Sequence, residues 1–180
     1  MSKIPLRQRH GASSIRSVLG LLGVMVGCVV TGVVCLTGSA LATPPSGFSS
    51  TTIGLATFDA IRVVNAGDAR VKIETKADVD VHTLFNTFVP GGRIGWHKHP
   101  GPSLVTVISG TATFYHGDDP TCTPHVYSAN GTNSFVDIGG GAVHLIRDES
   151  GAVAQTIAVQ LVPAGAMRRQ DADDPGNCSF

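Results

Sequence analysis

Capped amphipathic helical runs are missing from this chain of 180 residues. Short segments of alternating apolar and polar residues recur instead, and a glycine or proline separates nearly all of them. Regularly spaced short strands between turns indicate a β-sandwich or a β-barrel. The length suits one domain plus a targeting segment or tail. The sequence therefore predicts a single-domain, all-β protein.

Signatures of several enzyme classes and of nucleic-acid binding are also missing. There is no Ser-His-Asp arrangement, glycine-rich phosphate loop or paired-carboxylate motif, so hydrolase and kinase functions have no positive support. The chain has 13 basic and 13 acidic residues, and its basic residues form no cluster after the N-terminal segment. Nucleic acid is therefore not expected as a partner.

Acidic residues are absent before Asp59, and this absence marks a targeting segment. Four basic residues come first, at Lys3, Arg7, Arg9 and Arg16. An apolar run from Val18 to Leu36 and the small-residue sequence Ala40-Leu41-Ala42 follow. That order is typical of a secretory signal peptide over residues 1–42. Because the apolar run is long, an uncleaved membrane anchor is the alternative. Both hypotheses predict an extracytoplasmic domain, secreted in the first case and membrane-anchored in the second.

Cysteines are few, and no C-x-x-C pair indicates a zinc or redox site. Cys28 and Cys35 lie in the N-terminal segment, which leaves Cys122 and Cys178 in the domain. In an oxidising compartment such a pair most simply forms a disulfide, and the alternative is two free thiols. The disulfide would tether a C-terminal tail, residues 166–180, to the body of the protein.

The rest of the chain divides into a linker and one β-domain. Residues 43–52, rich in proline and serine, are predicted to be a linker, and residues 53–165 the domain. Val79–Val89 alternates clearly, and Pro90-Gly91-Gly92 is expected to end that strand. The loop 117–124 is expected to be irregular. Further strands are predicted at Thr57–Val64, Arg93–His99, Ser103–Ser109, Thr111–His116, Ser134–Ile138, Val143–Arg147 and Ala152–Val162.

Histidines in the middle of the domain suggest a metal site. His97 and His99 are two residues apart, so in a strand both imidazoles point to the same side. Two imidazoles that converge make half of a metal site. A third, His144, follows a run of glycines and could be folded back beside the first two.

The segment around the first two histidines resembles the first motif of the cupin superfamily, G-x5-H-x-H-x3-4-E-x6-G. Gly91, His97, His99 and Gly110 match it at the family spacing. Ser103 stands where the family has a glutamate ligand. Loss of that charged ligand should lower metal affinity and leave the metal more electrophilic.

The segment around the third histidine resembles the second cupin motif, P-x-G-x2-H-x3-N. Gly141 and His144 match it, with Gly139 in the proline position and Asp148 in the asparagine position. The resemblance implies a double-stranded β-helix, the cupin jelly-roll barrel, for the β-domain. Cupins often pair through edge strands, so a homodimer is expected by analogy.

The resemblance also implies a function. His97, His99 and His144 would hold a divalent metal, which could be Fe, Mn, Ni, Cu or Zn. Similar three-histidine sites occur in cupins that dioxygenate thiols or diketones. The first hypothesis is therefore a metal-dependent, oxygenase-type protein acting on a small molecule. The alternative is a metal-free module that binds a sugar or aromatic compound in the same pocket. A purely structural envelope or spore protein is the third.

Four further polar residues are candidates for the pocket. Ser103 is one, and His82, on the strand before the first motif, is the leading histidine to replace the missing glutamate. His116 and His125 are weaker candidates, because a lone histidine is more often a surface or core residue.

Other conspicuous side chains are interpreted as structural. Gln155 and Gln160, on the last strand, are expected to face solvent more readily than the pocket. Trp96 points away from the face of His97, so it is expected in the core. Tyr115 is expected to pack in an ordinary strand.

Overall fold

Strands and turns make up the regular structure. The computed structural model describes residues 42–65 and 67–180, which fall within one compact unit. The predicted segment 1–42 lies outside the described residues, apart from Ala42. The twelve strands are β1 (Ser46–Phe58), β2 (Arg62–Val64), β3 (Lys72–Glu74), β4 (Val79–Arg93), β5 (His97–Lys98), β6 (Ser103–Ser109), β7 (Thr111–His116), β8 (His125–Ser128), β9 (Ser134–Asp137), β10 (His144–Arg147), β11 (Ala154–Pro163) and β12 (Gln170–Asp171). No helix in the described ranges is long and apolar enough to span a membrane.

Ten strands form an antiparallel, nearly closed barrel. One half has the order β1-β4-β11-β6-β9, and the other has the order β12-β5-β10-β7-β8. The halves join where Arg93 of β4 pairs with Arg147 of β10. Strands β2 and β3 form a separate hairpin. The prediction of an all-β jelly-roll barrel is confirmed.

The inward faces of the strands form the core of the barrel. In β6, Ser103, Val105 and Val107 are buried, and the residues between them are exposed. This period of two is the expected pattern for a sheet with one face in water. Phe88 and Phe114 are buried in the same interior cluster as Val107. The core therefore surrounds the region into which β5 and β10 direct their histidines.

A second apolar cluster lies on the other face of the sheet and anchors the tail. Trp96, Tyr115 and Leu145 are buried together, and both cysteines pack against them. Cys122 and Cys178 form a disulfide with a Cα–Cα distance of 5.3 Å, as predicted. The predictions that Trp96 and Tyr115 have packing roles are also confirmed. The tail is thus joined to the barrel covalently and through the pairing of β12 with β5.

The linker prediction is wrong for most of residues 43–52. Strand β1 begins at Ser46 and pairs with β4 along nearly its whole length. The Thr43 Oγ1 atom accepts a hydrogen bond of 2.7 Å from the backbone N–H of Trp96. Because β1 is an edge strand with most side chains in solvent, its composition is as polar as that of a linker.

Further boundaries differ from the sequence prediction. The predicted strand Thr57–Val64 is divided between β1, which ends at Phe58, and β2, which begins at Arg62. Strand β4 continues through Pro90, Gly91 and Gly92 to Arg93, where it meets β10. Pro90 has no backbone N–H, but it lies where the pairing of β4 with β1 is irregular, so no regular hydrogen bond between the strands is lost there. The short strand β8 was not predicted; it pairs with β7 after the loop that carries Cys122.

Candidate metal centre

Three buried imidazoles meet inside the barrel. His97 and His144 are directly paired residues of neighbouring strands β5 and β10, and His99 follows β5. Their side chains are 2–3% exposed. One ring nitrogen from each of the three lies within 4.8 Å of the others. The structure therefore brings together the three residues that the motifs single out, although only 97 and 99 are neighbours in sequence.

Backbone carbonyls fix the orientation of all three rings. The Nδ1 atoms of His97, His99 and His144 lie 2.9, 2.9 and 3.1 Å from the carbonyl oxygens of Gly95, Gly101 and Ala142. A carbonyl oxygen only accepts hydrogen bonds, so each Nδ1 carries the proton and donates it. In the neutral ring, Nε2 then has a free lone pair, which is the usual state of a metal-binding histidine.

An acidic residue that the sequence analysis missed lies beside these rings. The Oδ2 atom of Asp137 is 2.7 Å from Nε2 of His99 and 3.3 Å from Nε2 of His144. Its Oδ1 atom accepts a 3.0 Å hydrogen bond from the backbone N–H of Gly139. The side chain is 5% exposed. An available signal was the acid at an alternating position of the predicted strand Ser134–Ile138, just before the second motif.

Burial and proximity set the ionisation of the cluster. Burial lowers the pKa of His97 well below its ordinary value, and that of His144 to about 4. Burial alone would raise the pKa of Asp137, but the neighbouring His99 and His144 outweigh it and the net shift is downward. At neutral pH the cluster therefore combines the neutral imidazoles of His97 and His144 with the ionised carboxylate of Asp137, which are donors suited to a divalent cation.

Acidification is expected to destabilise the metal-free protein. An unfolded histidine takes up a proton near pH 6.5, whereas buried His144 does so only near pH 4. Between these values the unfolded state binds more protons, so the free energy of unfolding falls as the pH falls. The loss from His144 alone approaches about 3 kcal/mol. Urea unfolding of the chelator-treated protein at pH values from 7 to 4.5 measures this loss of unfolding free energy. The free energy of unfolding of a His144→Gln variant should depend less steeply on pH than that of His82→Gln. Equal slopes in the two variants would contradict this account.

The cavity at the cluster is small. Its volume is 40 Å³, enough for roughly three water molecules. Asn86, Ser103 and Gln160 are buried polar residues of its lining, and Arg168 and Arg169 of the tail line it as well. The Arg168 guanidinium donates to Gln160 Oε1 at 3.3 Å. The cavity therefore combines the histidine cluster with two cationic side chains from the tethered tail.

Several predictions about pocket residues need correction. Ser103 lines the cavity as expected, but Gln160 does too, because β11 directs it inward. Among the described lining residues His82 does not appear. It precedes Leu84, the first β4 residue of the lining, by two positions, about 7 Å along the strand. His116 and His125 pack against each other, with ring centroids 5.2 Å apart, and they also do not belong to the lining.

Comparisons with known proteins give similarity of structure only. No protein-family model matches the sequence, and a search of curated proteins finds no match. A double-stranded β-helix protein from Klebsiella pneumoniae is 23% identical, with a TM-score of 0.43 over 64% of this chain and 80% of the other. A cupin-2 domain from Rhodospirillum rubrum is 12% identical, with a TM-score of 0.44 over 72% of this chain and 72% of the other. The polyketide cyclase RemF from Streptomyces resistomycificus is 13% identical, with a TM-score of 0.46 over 74% of this chain and 79% of the other.

The two segments that resemble the cupin motifs lie on neighbouring strands of the barrel. The first motif supplies His97 and His99 around β5, and the second supplies His144 at the start of β10. Fold and site together define a small antiparallel β-barrel protein with a buried cluster of three histidines that could hold a metal ion.

Proposed function

We propose that this protein is an exported, metal-dependent cupin that acts on a small molecule. His97, His99 and His144 would hold a divalent metal through their Nε2 atoms. The observation that carries the proposal is the common orientation of the rings: all three Nδ1 atoms face backbone carbonyls, and one ring nitrogen from each histidine lies within 4.8 Å of the others. Histidines that only stabilised the fold would not need this common orientation.

The bound metal would supply Lewis-acid chemistry or, as iron, manganese or copper, the electron transfer needed for oxygen-dependent oxidation. The protein's own residues would hold the metal and limit access of water. The apolar side chains of Val105, Phe114 and Ile146 line the cavity beside the polar groups. A buried environment of this kind, with apolar side chains beside the polar groups, strengthens electrostatic interactions with a group that enters it.

Cavity size and charge support a small, anionic substrate. Sites for drug-sized ligands usually measure about 300–1,000 Å³, whereas this cavity has 40 Å³. The alternative of a metal-free sugar or aromatic module is therefore less well supported. Arg168 and Arg169 carry positive charge beside the cluster, and arginine is well suited to binding a carboxylate. We infer that a small carboxylate is a better ligand than the corresponding amide.

Export remains part of the proposal. The order of basic, apolar and small residues before Thr43 supports it, and so does the disulfide between Cys122 and Cys178, since disulfides persist mainly in oxidising compartments. Fractionation of the native host would test it: a domain that remains in the cytoplasm would contradict export without affecting the metal site.

Metal binding is expected at one ion per chain. Purified protein is incubated separately with Fe²⁺, Mn²⁺, Ni²⁺, Cu²⁺ and Zn²⁺, and bound metal is measured after gel filtration. His97→Ala and His144→Ala should each lose at least about 90% of it, because removing even an outer-shell partner costs 10–100-fold in affinity. His82→Ala is the matched control and should bind as the wild type does.

Two results would contradict the proposal. The first is wild-type protein, folded by circular dichroism, that retains none of the five metals. The second is equal metal content in the His97→Ala, His144→Ala and His82→Ala variants. Binding of a small carboxylate and its amide to the loaded wild type, measured by calorimetry, then tests the substrate class; a preference for the amide would reject it.

A further inference from the structure

We infer that Asp137 is a direct metal ligand and that it replaces the carboxylate missing at position 103. The inference rests on the proposed metal function. It adds a residue that lies outside both motifs, and it converts a three-histidine cluster into a site with three imidazoles and one carboxylate.

The first observation is the pairing between β6 and β9. Ser103 and Asp137 are directly opposed partners in this antiparallel pair. Directly opposed residues have Cβ atoms about 4.5–5.5 Å apart on the same face of the sheet. Ser103 and Asp137 are both buried and both line the cavity. A carboxylate at 137 therefore reaches the same part of the cavity as a carboxylate at 103 would.

The second observation is a buried carboxylate oxygen without a hydrogen-bond partner. The Oδ2 atom of Asp137 is buried, and no hydrogen bond reaches it from the described residues. It lies 2.7 Å from Nε2 of His99 and 3.3 Å from Nε2 of His144, whose Nδ1 atoms already face the carbonyl oxygens of Gly101 and Ala142. A buried carboxylate oxygen is costly unless a cation or a donor satisfies it. A divalent cation bound at this point would satisfy the oxygen and both ring nitrogens.

The third observation is that the spacing suits shared coordination. Two ligand atoms each about 2.1 Å from one metal are about 3.0 Å apart at a right angle and about 3.4 Å apart at the tetrahedral angle. Asp137 Oδ2 lies 3.3 Å from Nε2 of His144, within this range, and 2.7 Å from Nε2 of His99, about 0.3 Å below it. The remaining carboxylate oxygen is held by the Gly139 N–H, which is the kind of outer hydrogen bond that orients a metal ligand.

The test compares Asp137→Asn with the wild type. Asparagine keeps the shape of the side chain and an acceptor for the Gly139 N–H, but it removes the charge. The Zn²⁺ dissociation constant, measured by competition with a chromophoric chelator, is expected to rise at least about 100-fold, more than for typical outer-shell changes. The visible absorption spectrum of the Co²⁺ form should also change, because it reports the ligand set directly. Asp80→Asn is the control, since Asp80 also accepts two hydrogen bonds but lies outside the cluster.

A relocation variant provides the sharper test. Asp137→Ser combined with Ser103→Glu moves the carboxylate to the opposed strand, where the family motif has it. This double variant is expected to bind Zn²⁺ at least about tenfold more tightly than Asp137→Ser alone, because a charged oxygen ligand is restored. If Asp137→Asn fails to fold, the relocation variant alone decides: folded protein without regained affinity overturns the inference.

The results also separate this inference from the proposed function. Wild type and Asp137→Asn that bind Zn²⁺ equally, with the same Co²⁺ spectrum, would overturn the role of Asp137 and leave the three-histidine site intact. Wild type that binds neither metal would overturn both. Loss in Asp137→Asn with recovery in the relocation variant supports both.

Discussion

Replacing Gly139 with alanine is expected to lower the free energy of unfolding by about 2–5 kcal/mol and to weaken metal binding. Gly139 has a φ of +63°, and an added Cβ atom would lie 2.0 Å from the carbonyl oxygen of Gly101. The left-handed conformation costs alanine about 1–2 kcal/mol, and forced overpacking adds about 1–3 kcal/mol. Urea unfolding measures the loss.

The link to the metal site is the Gly101 carbonyl itself. It accepts the Nδ1 hydrogen bond of His99, so a side chain at 139 that displaces it also turns the imidazole. We expect the Zn²⁺ dissociation constant to rise about 10–100-fold, as for other losses of an orienting partner.

Gly140→Ala is the matched control for that substitution. Gly140 has a similar φ of +68°, but an added Cβ would have no atom within 4 Å. It should therefore lose only the conformational cost of about 1–2 kcal/mol and keep wild-type metal affinity. Equal effects of Gly139→Ala and Gly140→Ala on stability and on metal binding would show that the Gly101 contact has no importance.

Removing the disulfide by Cys178→Ser is expected to lower the free energy of unfolding by about 4 kcal/mol. The bridged residues are separated by 56 positions, and restricting the unfolded chain over a loop of this length gives that value in the chain-entropy description. Denaturant unfolding under oxidising conditions measures the difference. Wild type unfolded in the presence of reductant should match the variant in oxidising buffer.

A second consequence concerns the tail. Strand β12 pairs with β5, which begins with His97, and Arg168 and Arg169 line the cavity. Loosening the tail should therefore raise its hydrogen-exchange rates and weaken binding of a small carboxylate more than it weakens binding of Zn²⁺. A loss of less than about 1 kcal/mol on removal of the bridge, well below the usual range for native disulfides in small secreted domains, would contradict the tethering role.

The local sequence pattern predicted most of the strands and two of the three histidines of the site, His97 and His99. The alternation in Ser103–Ser109 and the spacing of His97 and His99 follow from the two-residue period of a strand, which operates over neighbouring residues. The same reasoning failed for β1. That strand is defined by pairing with β4, and its exposed side chains leave little periodic signal in the sequence.

Asp137 and Gln160 show where local reasoning ends. Each looks like an ordinary polar residue at a strand position that could face solvent. Their burial follows from the strands with which they pair. Asp137 on β9 is directly opposed to Ser103 on β6. Gln160 on β11 is directly opposed to the same serine from the other side of β6. Ser103 thus lies between two inward polar residues, and no spacing within one segment encodes that arrangement.

The sequence by itself determined the all-β class, the shared face of His97 and His99, and the pair of cysteines available to join the tail to the barrel. Only the tertiary structure decided that an acid from β9 lies against the histidine cluster and that two arginines from the tail line its cavity. The physical reason is that side-chain direction within a strand depends on adjacent residues, whereas the register between distant strands depends on packing of the whole barrel.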